Sequence, residues 1–517
     1  MCDRIQEKMI KKIPAFLFAL CLSINSTIAP SIAAEAYMPE LISIPRDSVM
    51  FMMVEPSNTQ NFNYLIVKKD AQVKENNSVN WIYCDSFADT KCNFSDPSLT
   101  IVSNTILPIC TNDNQSHCVE SLAFSKSDEP YVNAELLKST SGGQIFPALI
   151  EKDFPGTGSP SIWNSNNAKH SGGNSYSVVV RLSMTFDHAT QKFRPGILNA
   201  SVVPVREVSG NYQPELVLGA SNNCAYIEAG KCGYPQDFPE DTKVKLSFRV
   251  TNKIGGWFQG RLKDPQLDIS QVNSQTNRIV VSANPSTVAR FATPKSKSQF
   301  TEKEKEFYSY SRWGTAGGEG SGPEGGQTNY SFDFIDYFRN LLNDTATGLN
   351  TYWSLTTTAW GSGSGCLSDT SKVQGIVTTN AMGYDGTAPA FRNGFLDYKV
   401  SGFHYLPDGK TEVQGTYDLI MRSDTARCLY GFTSAPIYAT VNVISGNTST
   451  LVGTTTVSEK NGWLKLAAYG FTFSEKTLKV KISQPKNQKY SISCVKGKLT
   501  KKITGTNPKC PKGYKIK

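Results

Sequence analysis

The chain has 517 residues, a formal charge of +9 and only 19% charged residues. That length exceeds what one hydrophobic core usually serves, so two or three domains are expected. Low charge with abundant Gly, Ser, Thr and Asn argues against a cytosolic enzyme and for an extracellular all-β protein.

The charge is unevenly placed. Ten lysines and no acid lie between Pro485 and Lys517, the first 34 residues carry +2, and the body between is −3. The high pI therefore reports a basic tag on a nearly neutral body and gives no reason to expect nucleic acid as a partner.

In chain order, the first 34 residues read as a bacterial-type signal peptide. Arg4, Lys8, Lys11 and Lys12 precede an apolar stretch from Ile13 to Leu22, and small residues around Ala33 and Ala36 suit cleavage. The stretch is shorter than the about 20 residues a bilayer span needs. Leu20 before Cys21 lacks the small side chain that lipoprotein processing wants, so Cys21 falls in the discarded segment. No second apolar run follows, and no transmembrane anchor is expected in the mature chain.

Residues 35–240 form a cysteine-looped β region and 241–313 a middle β segment containing Trp257. Tyr176, Val178, Val180, Leu182, Met184 and Phe186 alternate with Ser177, Arg181, Ser183 and Thr185, the period of a half-buried strand. Val244, Leu246, Phe248 and Val250 alternate in the same way with Lys245, Ser247 and Arg249. Thr301 to Tyr310 suits a short charged helix. Residues 314–328 lose hydrophobics altogether and read as a Gly-rich linker or loop.

Residues 329–484 form a C-terminal β domain. Phe332, Ile335, Phe338, Leu341 and Leu342 predict one helix, with Ser331 as N-cap and a stop near Gly348. Strands follow at Ile437 to Val443, with a hairpin signal at Ser445-Gly446-Asn447, and at Leu478, Val480 and Ile482. Residues 485–517 are a separate Lys-rich tail. The fold class is all-β, mainly antiparallel and β-sandwich-like, with one or two short helices.

Of twelve cysteines, ten lie behind the signal region in neighbouring couples. Cys84/Cys92, Cys110/Cys118 and Cys224/Cys232 share one spacing, and Cys366/Cys428 and Cys494/Cys510 are wider. An even count in an exported chain reads as disulfides, although sequence alone does not fix connectivity. The rival reading is zinc. It wants cysteines two to four residues apart, and only His117 stands near a couple, so no metal or other cofactor is expected.

A catalytic constellation does not emerge. The four histidines, His117, His170, His188 and His404, form no HExxH pattern, and Gly361-Ser362-Gly363-Ser364-Gly365 has glycine where a nucleophile belongs. Asp369-Thr370-Ser371 and Asp424-Thr425-Ala426 resemble the paired loops of aspartic proteases but lack the glycine. Asn112-Asp113-Asn114 offers oxygen ligands for calcium without EF-hand spacing, and an Asn/Asp-rich turn is the preferred reading. Trp81, Trp257, Trp353 and Trp463 suit either sugar stacking or core filling, with core preferred.

The tail pairs a small cysteine loop with Lys496, Lys498, Lys501, Lys502, Lys509, Lys512 and Lys515. Compact ammonium charges suit anionic polymers such as those of the Gram-positive wall. The segment Cys494 to Tyr514 resembles a CxKGKxTKKxTxxxPKCPxGYK ending of exported actinobacterial proteins. Thr378 to Met382, Ala426 to Phe432, Ala435 to Ile437, Trp463 to Leu466 and Gly470 to Ser474 are similar to a group of exported actinobacterial proteins of unknown function, as is Cys110 to Leu122. The resemblance implies export and a shared scaffold and brings no catalytic residues.

These readings converge on an exported cell-surface protein. Its tail would hold anionic wall polymers, and its body would take a polysaccharide or another surface ligand. Two alternatives stand beside it: a secreted hydrolase acting on glycans or peptides, and a self-assembling surface-layer subunit.

Overall fold

The computed structural model describes residues 45, 47–53, 55, 62–69, 82–141, 144–210, 212, 224–315, 318–323, 328–357, 365–431, 438–445, 448–451, 454–473, 476–483, 490–497, 499–505 and 508–516. The expected signal peptide, Trp81, most of Gly361 to Gly365, and Lys498 lie outside these residues. Strands dominate, most pairs are antiparallel, and among the described residues there are three α-helices.

Two sheets enclose the first core. One runs through Tyr64–Lys69, Leu99–Ile106, Ser175–Asp187, Lys192–Ser209 and Gly348–Thr357. The other pairs Cys118–Lys126, Thr242–Thr251 and Thr276–Arg290. Their inner faces meet, with Val178, Val180 and Leu182 from the first sheet and Leu246, Phe248 and Val281 from the second all essentially sealed from solvent. The Phe124 and Tyr176 rings, 4.3 Å between centroids, join the two layers.

Strand Gly256–Asn273 belongs to both sheets. Its first half pairs with Gly348–Thr357 and, in parallel, with Val373–Thr379; its second half pairs with Thr276–Arg290. The change of sheet falls between Arg261 and Leu262, and just beyond it Asp264 adopts φ 54° and the register slips between Lys263 and Gln266. A bulge with a left-handed residue re-aims a strand in this way. Parallel pairing beside Trp257 needs Gly375, where a Cβ would stand 2.6 Å from the indole and 2.3 Å from the Ile420 carbonyl oxygen.

The second core lies beyond this strand. Phe51, Phe291, Phe307, Phe334 and Phe338 form an aromatic cluster beneath the helices, and Tyr398, Tyr417 and Leu466 extend it. Helix Glu302–Tyr310 begins at Thr301 with a reciprocal capping box to Glu304, as its sequence suggests. Helix Thr328–Leu341 starts earlier than expected: Ser331 lies within it, fully buried, and is not the N-cap. The helix ends before Gly348, which opens a strand. The terminators are Asn343 and Asp344 in left-handed conformation, with Asp344 donating its N–H to the Arg339 carbonyl.

The stretch expected as a linker or loop from 314 to 328 is partly strand. Arg312–Thr315 and Gly318–Ser321 form a hairpin, and the latter pairs in parallel with Ser48–Met52, which in turn pairs with Ala292–Ser296. Glycine supplies no side-chain burial, so the backbone ladder itself holds this segment.

Two expected wet faces are covered. Ser177 is buried under a third layer around Ile162, Val205, Ala225 and Tyr226, its hydroxyl donating to the Ala225 carbonyl at 3.5 Å, and Arg181, further along the strand between Ile106 and Asn199, is buried as well. Ser247 and Arg249 are buried because they close on Glu120. In the C-terminal sheet, Ser445 stands opposite Thr448, and Leu478 and Val480 are fully buried.

Candidate functional site

All five cysteine couples are disulfides between the expected neighbours. Their Cα–Cα distances are 5.9, 4.9, 5.5, 5.9 and 5.5 Å in chain order, inside the range a disulfide spans.

The Cys224–Cys232 bond brackets a hairpin, with Cys232 inside strand Lys231–Pro235, opposite Val208 and Ile227, and fully buried. The reason is local packing, because the Cys224–Cys232 bond and the buried Tyr212 ring form a small apolar cluster of their own. Cys84, Cys92 and Cys118 are sealed in the same way, so these sulfurs act as core-forming staples and offer no surface chemistry.

No group of three or more metal-ligating side chains occurs among the described residues. The carbonyls of Asn112, Asp113 and Gln115 do converge, but on the Arg249 guanidinium at 3.1, 2.7 and 3.3 Å. A positive side chain of the protein thus stands where the calcium reading would put an ion.

The chemistry searched for in the sequence is dispersed. His170 and His188 sit 2.9 and 2.7 Å from the backbone carbonyls of Ser175 and Leu99, and His404 lies 3.2 Å from that of Phe473. Asp369 and Asp424 share one partner, Lys372, whose ammonium stands 3.7 and 3.0 Å from them, on the segments joined by Cys366–Cys428. Hydrogen bonds from Ser371 hold Asp369 below the usual carboxylate range. Burial would raise Asp424, but Lys372 and Arg422 outweigh it. A proteolytic pair must share one proton, and these two are both held ionised.

A cleft of about 820 Å³ lies between the Cys110–Cys118 loop, the segment around Asp153 and the turn at Lys253. Its polar lining includes Asn114, Gln275 and Asp153, and Lys192 and Lys253 each stand 3.3 Å from the Asp153 carboxylate. His117 Nδ1 is 2.9 Å from the Ser116 hydroxyl, the geometry of a nucleophile and its base. The tautomer rules out that use. His117 Nε2 accepts the Thr251 N–H at 3.3 Å, so the ring proton is on Nδ1 and points at the serine. Burial pushes the ring down to about 4, so it is neutral near pH 7. What remains is a polar cleft.

Of the tryptophans weighed as sugar platforms, Trp257 and Trp353 are sealed in the cores, and half-buried Trp463 lies under the Arg422 guanidinium. The basic residues lie elsewhere. Tyr490–Lys496, Leu499–Gly505 and Lys515–Ile516 form a three-stranded sheet that pairs with no other sheet among the described residues. Cys494 is fully buried within it and bonded to Cys510. Lys496, Lys501, Lys502, Lys509, Lys512 and Lys515 are all exposed, and among the described residues none has a carboxylate partner. Consecutive Lys501 and Lys502 project to opposite faces, so both sides of the module are cationic. The Lys501 ammonium also stands 5.2 Å over the Tyr514 ring.

The fold and these sites define a disulfide-bonded, all-β protein with polar clefts and a self-contained cationic module. No protein-family profile, curated protein or solved structure matches the chain. No helix among the described residues is long and apolar enough to cross a membrane. Sequence reading missed Glu120 and Arg249 as partners, because nothing local joins residues 129 positions apart.

Proposed function

We propose that the chain is an exported cell-surface protein with a binding or structural role, held at the wall by its C-terminal module and taking a polysaccharide through its body. One observation carries this reading: the cationic module is a folded unit. A tail that only aids solubility needs neither a disulfide nor a three-stranded sheet, whereas a polymer-binding module needs its charges at fixed places. Five disulfides suit an oxidising compartment. The resemblance to exported actinobacterial proteins supports the same assignment.

The test is fractionation of the producing cell with the intact chain and one lacking residues 485–517. The intact protein should stay with the wall and elute in high salt, which screens charge contacts. The truncated protein should appear in the medium. Equal wall retention of both forms would overturn the reading.

A further inference from the structure

The C-terminal module has two chemically different faces. Tyr490–Lys496 is its central strand, with Leu499–Gly505 on one side and Lys515–Ile516 on the other. Residues directly opposite in an antiparallel pair share a face, as do alternate residues along a strand. The register therefore puts Ser491, Ser493, Thr500, Lys502, Thr504 and Lys515 on one side, every one of them exposed. The Ser491 and Thr504 hydroxyls meet at 2.6 Å across the two strands, as that placement requires. Val495 is the lone apolar residue on this side among the described strand residues.

The opposite side gathers the aliphatic residues. Ile492 stands opposite Ile503, Cys494 opposite Lys501 and Ile516, and Lys496 opposite Leu499. Cys494, bonded to Cys510, is sealed at the centre, and Ile492 and Ile503 are half-buried. Leu499 and Ile516, on the two outer strands, are 63% and 69% exposed. Single exposed aliphatics are ordinary on a protein surface. These two share a face with each other and with the exposed ammonium groups of Lys496 and Lys501. Leu499 also pairs with Lys496 to close the hairpin turn, in which Gly497 adopts φ 59°. No acidic side chain occurs from Pro485 to Lys517.

A hydrated anionic polymer uses the charges of this face but gives its leucine and isoleucine nothing to bury against. An apolar groove in a protein would cover the aliphatics and strand the ammonium groups among them. An anionic lipid surface supplies both kinds of contact in the right order, phosphates outermost and hydrocarbon beneath. Lysine stems are apolar up to the ammonium, so they lie along an aliphatic face while their charges stay at headgroup level. We infer that the Leu499–Ile516 face docks on an anionic lipid surface, with the two aliphatic side chains entering the headgroup boundary and Lys496 and Lys501 pairing with lipid phosphates. The module lies on that surface and does not cross it: its strands have two to seven residues, and a membrane-spanning strand needs about 9–11. The inference goes beyond wall retention and does not rest on it, because polymer binding uses charge alone and the hydroxyl-bearing face with Lys502 and Lys515 supplies that.

The experiment is co-sedimentation of the full chain with vesicles of phosphatidylcholine, alone or mixed with an equal part of phosphatidylglycerol, at about 0.1 M salt. Binding to polyphosphate is measured beside it. The chain should bind the mixed vesicles and not the neutral ones. Leu499→Thr and Ile516→Thr, both compatible with a strand, should each weaken vesicle binding about fivefold or more. Polyphosphate binding by both variants should stay within about twofold of wild type. Vesicle binding unchanged in both variants means that charge alone holds the module and overturns the face. Absence of binding to the mixed vesicles overturns it as well, as does loss of polyphosphate binding in step with vesicle binding. Self-association of the lipid-free chain that either variant abolishes would give the face to a second copy and overturn the lipid. Vesicle binding that needs Leu499 and Ile516 in a chain indifferent to polyphosphate would support the lipid face and count against wall attachment.

Discussion

Glu120→Gln removes one charge and almost no volume, and it tests how the polar cleft's loop is held. Glu120 accepts hydrogen bonds from Ser247 at 2.5 Å, from Arg278 at 2.7 and 2.8 Å, and from Arg249. The Arg249 side chain is only 6% exposed, while Arg278 is 41% exposed and screened by solvent. Removing one partner of a buried ion pair costs about 3–5 kcal/mol. Here Arg249 keeps its three loop carbonyls and Arg278 contributes little, so about 2 kcal/mol is expected, or about 30-fold in local opening. The pH dependence gives a second readout. Burial would raise the Glu120 carboxyl, but Arg278, Ser247 and Arg249 outweigh it and bring it from 4.5 to about 2. A carboxyl depressed by folding stabilises fully above its unfolded value and loses that contribution as pH falls through the folded one. The gap between wild type and E120Q should therefore be widest above about pH 5 and close towards pH 2. Amide hydrogen exchange along Cys118–Lys126, corrected for intrinsic rates, reads this without assuming two-state unfolding. A gap under about threefold at neutral pH, or one that persists at pH 2, would refute the reasoning.

Two further outcomes follow from the same structure. Replacing Cys366 and Cys428 by serine should cost about 4 kcal/mol against about 2.5 for Cys84 and Cys92, because the bonds close spans of 62 and 8 residues; equal shifts in thermal midpoint would contradict the loop-entropy account. Asp418 is fully buried, and desolvation, only partly offset by Tyr469 and Lys465, raises its carboxyl from 3.8 to about 6. A carboxyl raised by folding binds its proton more tightly in the native state, so stability should fall as pH rises from about 4 to 6, by at most about 3 kcal/mol. Asp418→Asn should flatten that window in Tm-against-pH measurements, and an unchanged slope would count against it.

Some of this was legible in the sequence for plain physical reasons. An eight-residue separation such as Cys84 to Cys92 keeps two thiols near each other in almost any compact chain, so neighbour pairing was the simplest solution. Spacing did not say that Cys232 would sit inside a strand, because the residues that bury it come from elsewhere. The lysine tail announced itself by composition. Strand positions were readable from alternation at Val244 to Val250, but not which face would be wet. Arg249 looks like a solvent residue until Glu120, on another strand, is placed beside it. The clefts were illegible for the same reason. Ser286 and Thr416 are unremarkable in their own neighbourhoods and come to line one cleft only because strand Gly256–Asn273 passes from one sheet into the other.

The position of Ser48–Met52 has a practical consequence for handling this chain. Val49 stands opposite both Lys295 and Glu319, so the earliest described strand is the inner member of a ladder whose other rails are made much later. Contacts of such long range form slowly, and until they do both rims of that strand are bare. A fragment cut at the glycine-rich stretch, the natural place to divide the gene, would leave it permanently half-zipped. Such a piece should recruit a second copy of itself, and an expression strategy built on halves would yield aggregates where the whole chain folds.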